Sequence, residues 1–160
     1  MSPCEEGYKY VGTVGTIGQY AGNQPSHHVA YLYSYSGEPW KTQYYTCLIC
    51  ENIYKADPEG CPENDDMGSM SSWYNFSSMG FYPVTPCSNT YVLGSPVFNE
   101  VDIKLDNGKT FQVKTFEQLK NKYLCAVGFI KRKELNRNWI THDEIMNGGV
   151  LEFEMGKEPP

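Results

Sequence analysis

Asn64-Asp65-Asp66-Met67-Gly68-Ser69-Met70-Ser71-Ser72-Trp73-Tyr74 places carboxylates directly ahead of a segment that carries no charge. From Met67 to Asn99 there is no Asp, Glu, Lys or Arg. So long an uncharged run is expected where chain is buried. Met67, Met70, Trp73, Tyr74 and Phe76 recur at helical steps and mark one apolar face. Gly68, Ser69, Ser71, Ser72, Ser77 and Ser78 fill the remaining positions. Small residues there let neighbouring backbones approach, so the helix is expected to be surrounded. Gly80 stops it and Pro83 forbids resumption. On pattern alone, Asp65 and Asp66 read as an N-cap and as partners of the helix dipole, about 0.3–1 kcal/mol each. A border between a buried helix and something wetter also suits a catalytic cleft.

Upstream, residues 7–23 hold Gly12, Gly15, Gly18 and Gly22 and read as loop. No Gly-Lys-Ser/Thr follows, so this is not a phosphate loop. Asn23 suits an N-cap and Pro25 an early helical position. A helix is expected from there through His27, His28, Tyr31, Leu32 and Tyr35, ended by Gly37. Adjacent histidines point about 100° apart on a helix and make a poor metal pair. Pro39 opens a second helix marked by Trp40, Tyr44, Cys47, Leu48, Glu51 and Tyr54, and the short connection makes the two an antiparallel hairpin. Asp57-Pro58-Glu59-Gly60 is a turn into the central helix.

After Pro83 the pattern changes to strand. Tyr91-Val92-Leu93 is a short apolar piece, and Val101, Ile103 and Leu105 alternate with Asp102 and Lys104. Asp106-Asn107-Gly108 predicts a tight hairpin, with Phe111 and Val113 returning as its partner. Tyr123 to Ile130 reads as a further strand. Thr141-His142-Asp143-Glu144 is a capping box opening one helical turn. Asn147-Gly148-Gly149 breaks it, and Leu151, Phe153 and Met155 alternate in a last strand. The fold class is therefore α+β, helices first and an antiparallel β unit second.

The chain has 160 residues, enough for one domain. A net charge of −6 leaves no basic patch for nucleic acid. No apolar run is long enough to span a membrane, and Met1-Ser2-Pro3-Cys4-Glu5-Glu6 lacks the basic start and apolar core of a secretory leader. The 13 tyrosines suit wet clefts and sugar surfaces as well as cores. Cysteines stand at 4, 47, 50, 61, 87 and 125. Three disulfides are open to an exported chain, and Cys47-x-x-Cys50 is open to zinc. Both lie inside a helical pattern, however, where small buried thiols are the simpler role.

Several ordered motifs resemble glycoside hydrolase family 92. They are Gly22-Asn23-Gln24-Pro25-Ser26-His27-His28, Tyr31-Leu32-Tyr33, Pro39-Trp40-Lys41-Thr42-Gln43, Asn64-Asp65-Asp66 with Gly68 and Met70-Ser71, and Trp73-Tyr74. Gly80-Phe81-Tyr82-Pro83-Val84, Tyr91 to Phe98, Asn107 to Phe111, Trp139-Ile140, Asn147-Gly148-Gly149 and Met155-Gly156 continue the match over nearly the whole chain.

That resemblance implies calcium-dependent, inverting exo-α-mannosidases in which a β-sandwich precedes a six-hairpin (α/α)6 toroid. This chain would be the C-terminal part. Residues 1–86 would end the toroid, and residues 87–160 would be an antiparallel β region packed on it. Asp66 matches the family's general base, with Asp65 and Asn64 flanking it. Asn23 and Gln24 fall in the segment that builds the calcium and sugar site. His27, His28 and Trp73 would line the pocket. No residue here matches the family's general acid. Family members usually carry Glu at the position of Gln24 and Gln at that of Ser69, and a His between the positions of Ala21 and Gly22. The expected partners are a mannose-containing glycan and the rest of such an enzyme, in a secreted, periplasmic or secretory-pathway setting. The alternative is a non-catalytic remnant that binds sugar or a partner subunit.

Overall fold

The computed structural model describes residues 23–62, 64–116, 124–130 and 133–156, with backbone alone over 124–129. The glycine-rich stretch before Asn23, Cys4, the Cys125 side chain and Tyr123 lie outside the described residues.

The fold is α+β. Two long helices come first, α1 over Pro39–Asn52 and α2 over Ser69–Met79. Strands follow: β1 (Phe81–Tyr82), β2 (Thr90–Leu93), β3 (Glu100–Lys104), β4 (Thr110–Phe116), β5 (Leu124–Ile130), β6 (Lys133–Glu134) and β7 (Trp139–Thr141). The one-turn helix α3 (His142–Met146) and β8 (Gly149–Gly156) complete the order. One sheet runs β1-β2-β7 and the other β3-β4-β8-β5-β6.

Local signals that the sequence carries are met. Asp106-Asn107-Gly108 turns β3 into β4 with Val101 opposite Val113, and Gly108 takes φ 78. The capping box forms at α3: the Thr141 side chain accepts from the Glu144 N–H, and the Glu144 carboxylate accepts from the Thr141 N–H.

Three expectations are corrected. The helix expected from Pro25 through Tyr35 is two 3₁₀ segments, Gln24–Ser26 and Val29–Ser34. The Ser34 N–H is diverted to Thr42 Oγ on α1 at 3.1 Å, and Asn23 makes no side-chain cap. An outside acceptor thus replaces the i→i−4 carbonyl that an α-helix needs. The β unit is not purely antiparallel, because β4 pairs parallel to β8 with Phe111 opposite Gly149. The uncharged run is not buried throughout. On α2, Met70, Trp73, Ser77 and Ser78 are buried while Ser71, Ser72 and Asn75 are exposed. The described chain supplies α2 with neighbours on one face only.

Two apolar clusters hold the fold. Phe81, Leu93, Phe111, Val113, Ile140, Leu151 and Phe153 join the two sheets, with Phe76 and Met79 of α2 against them. Tyr31, Ile49, Cys50, Trp73 and Val92 join α1 and α2 to the small sheet. Because β1 pairs with β2, the small sheet bridges the expected division at residues 86 and 87. Cys47, Cys50, Cys61 and Cys87 are thiols, not disulfides.

Candidate functional site

The head of α2 is built from three successive left-handed residues. Asp66 has φ 49, Met67 φ 59 and Gly68 φ 89. Glycine takes this conformation without penalty, whereas each of the other two costs about 1–2 kcal/mol. The turn throws Met67 into solvent, where it is 106% exposed. It also moves the helix start to Ser69, two residues past the position the spacing predicts.

The turn separates the two carboxylates. Asp65 Oδ1 accepts from both the Ser71 N–H and the Ser71 hydroxyl at 2.8 Å. The Asp65 carbonyl accepts from the Met70 N–H at 3.2 Å. The N-cap is Gly68 and neither aspartate, yet Asp65 satisfies donors of the first helical turn. Asp66 does not. Its side chain is exposed and makes no hydrogen bond or ion pair among the described residues, while its carbonyl accepts from Gln24 Nε2 and from the Ser69 N–H, each at 3.3 Å.

The 3₁₀ segments bring the second group of candidates to the same place. Asn23, Gln24 and His28 are exposed, and Asn64 is exposed beside Asp65. His27 is buried, with Nε2 at 3.1 Å from Met70 Sδ. Burial holds the His27 pKa below the usual imidazole value, and the nearby Asp66 charge opposes that shift. Trp73 is 2% exposed. Its indole N–H donates to the His27 carbonyl at 3.0 Å, and its ring stacks on Tyr54 with centroids 5.9 Å apart. Trp73 thus fixes the segment carrying His27 and Gln24 from beneath. The structure brings Gln24, His27 and Asp66 together, with Trp73 as their floor. The sequence reading missed Ser71 as the partner of Asp65 and Gln24 as a donor to Asp66. The single available signal is Gly68, whose tolerance of positive φ permits the turn.

On the other side of Asp65 lies an open cleft of about 540 Å³, lined by Tyr54, Asp57, Asp65, Ser71, Tyr74 and Asn75 among others. Asp66 does not line it. Side-chain oxygens of Asn23 and Gln24 are of the hard kind calcium takes. Among the described residues no three His, Cys, Asp or Glu side chains gather closely enough to hold a metal. The donors fit calcium in kind and are fewer than the roughly six to eight oxygens it takes.

Residues 6–157 match the model of the glycosyl hydrolase family 92 catalytic domain. An uncharacterized secreted glycosidase of Arthroderma benhamiae is 35% identical over 142 residues, which are 87% of this chain and 18% of that protein. The family GH92 α-mannosidase BT3965 of Bacteroides thetaiotaomicron, solved with mannoimidazole, superposes with a TM-score of 0.84 at 37% identity, covering 88% of this chain and 18% of the other. The family GH92 inverting mannosidase BT2199 of the same organism gives 0.80 at 40% identity, covering 86% and 19%. The chain thus spans under one fifth of the length of these relatives.

Proposed function

Because the chain belongs to glycosyl hydrolase family 92, we propose that it is the C-terminal portion of an inverting exo-α-mannosidase acting on terminal α-mannosides of glycans. Residues 1–86 end the (α/α)6 catalytic toroid in this reading, and residues 87–160 form the β region packed on it. Support comes above all from Asp66. It is the one carboxylate of the pair left without a bond among the described residues, and it stands beside Gln24 and His27.

Inversion needs a general base that activates water and a general acid on the opposite face of the sugar, roughly 6.5–9.5 Å apart. Asp66 is the base. It takes a proton from water as the oxygen attacks the anomeric carbon, and the acid at the leaving oxygen comes from a part of the catalytic domain that this chain does not contain. Asn64 flanks the base. His28 lines the sugar site, with His27 and Trp73 behind it. Asn23 and Gln24 would hold calcium through their side-chain oxygens, and the ion would supply a Lewis-acidic anchor for sugar hydroxyls. Gln24 carries no charge at the position where the family usually has Glu, so calcium would be held less tightly there. The setting is secreted, periplasmic or secretory, as the name of the Arthroderma relative suggests for that protein. Among the described residues no helix is long and apolar enough to cross a membrane.

The isolated chain, with a base and no acid, does not hydrolyse mannosides. Mixed with the remainder of a family 92 enzyme lacking this region, it restores calcium-dependent turnover of an aryl α-mannoside, with inversion visible by proton NMR, and Asp66→Asn removes that turnover. Equal turnover by Asp66→Asn refutes the assignment. A mixture that binds mannose without turning it over favours the reading of a non-catalytic remnant that binds sugar or a partner subunit.

A further inference from the structure

We infer that Asp65 and Gln24 are positioning residues that hold Asp66 in its left-handed turn from two sides, which rests on Asp66 being the base. Two consecutive non-glycine residues at φ 49 and 59 do not stay there unaided. Such a conformation persists where its surroundings over-determine it.

Asp65 supplies the first restraint. Its Oδ1 and its carbonyl tie the residue just before the turn to the Met70 and Ser71 N–H groups just after it, and the Ser71 hydroxyl adds a third bond. Asp66, Met67 and Gly68 are thereby a closed loop with both ends pinned. Gln24 supplies the second restraint. Its amide N–H donates to the Asp66 carbonyl, which the Ser69 N–H also reaches, so the Asp66–Met67 peptide plane is fixed. With the backbone held, only the short Asp66 side chain rotates, and its carboxylate has no bonding partner among the described residues. The two adjacent aspartates divide the work: one carboxylate restrains the backbone and the other is presented.

The Gln24 bond also bears on the departure from the family pattern. A carboxylate at residue 24 cannot donate to a carbonyl, whereas an amide donates through nitrogen and keeps its oxygen for another partner. Gln24 thus links the segment assigned to the metal and sugar to the backbone of the base.

The test uses the full isotopically labelled chain with a chelator present. The backbone HN–Hα couplings and carbon shifts of Asp66 and Met67 report their left-handed conformation. Wild type is left-handed at both residues. Asp65→Ala and Gln24→Glu each lose the signature, while Asp65→Asn retains it because its amide oxygen still accepts from Ser71. Ser71→Ala, which keeps the N–H bond, is a milder control should Asp65→Ala fail to fold. An unchanged signature in Asp65→Ala or Gln24→Glu overturns the inference, as does its loss in Asp65→Asn. In the complemented enzyme, Asp65→Ala lowers kcat by ~10²-fold, as expected for a misplaced catalytic group. KM stays nearly constant and Asp65→Asn rescues the rate. A lost turn with unchanged kcat overturns positioning. Absence of turnover in the wild-type mixture counts against the mannosidase assignment alone, since the NMR measurements judge the turn by themselves.

Discussion

Gly68 and Gly80 bracket α2 with nearly the same backbone, φ 89 at its head and φ 93 at its end. Their surroundings differ. A Cβ at Gly68 meets nothing within 4 Å, whereas at Gly80 it lies 3.0 and 3.1 Å from the Pro96 ring and 3.2 Å from Phe153 Cζ. Alanine at either position bears the left-handed penalty of about 1–2 kcal/mol. Both gain back about 0.4–1 kcal/mol because the unfolded chain is stiffened. Gly68→Ala should therefore destabilise by about 0–1.6 kcal/mol. Gly80→Ala adds overpacking of about 1–3 kcal/mol, since the proline ring cannot swing aside and Phe153 is fully enclosed. Urea unfolding of the two variants, compared at equal slope, isolates the packing contribution. Stabilities that agree within about 0.5 kcal/mol, or a more damaged Gly68→Ala, would refute the claim that the α2 terminus is locked against the β core.

Other outcomes follow from the same contacts. The His27 pKa lies below the unfolded value because burial disfavours its charge, so the unfolded chain binds the extra proton. Its contribution to stability is full above the unfolded imidazole pKa of about 6.5 and declines as pH falls from there toward the folded value. Asp66→Asn removes the opposing charge and should lower the His27 pKa further by NMR titration; a rise would contradict their proximity. Tyr31 OH and Ser77 Oγ form a buried pair at 2.8 Å. Tyr31→Phe should cost about 1–3 kcal/mol by leaving Ser77 unpaired, and Ser77→Ala on top should recover part of that cost in a double-mutant cycle. Thr141→Ala removes the α3 cap and should cost about 1 kcal/mol in thermal unfolding; loss below about 0.3 kcal/mol would show the box to be idle.

What the sequence made legible was local. The Asn107-Gly108 turn, the Thr141 capping box and the helical steps of α1 and α2 are each decided within a few residues, and all form. What it hid was decided at a distance. The Ser34 N–H goes to Thr42, which spacing in the Pro25–Tyr35 segment cannot reveal. The parallel pairing of β4 with β8 joins residues separated by two other strand pairings and α3, and alternation records a strand's faces and not its neighbour. At the site, the Asp-Asp pair was visible and its division of labour was not. That division depends on Gly68 admitting a left-handed turn that carries Asp65 back to Ser71 and leaves Asp66 outside. Trp73 shows the same limit from the other side: an aromatic beside carboxylates suits a sugar platform, yet this indole is enclosed beneath the His27 segment.

The position of β8 has a consequence for synthesis. It lies between β4 and β5 but comes last of the described strands. Until Gly149–Gly156 has emerged from the ribosome, the β3–β4 hairpin and the β5–β6 ribbon are separate pieces, each with an open edge facing the gap. Strand β8 then pairs with both edges and brings Leu151, Phe153 and Met155 into the core. A nascent chain stalled before Gly149 therefore displays two unpaired strand edges and an uncovered apolar layer, the form in which β proteins join with copies of themselves.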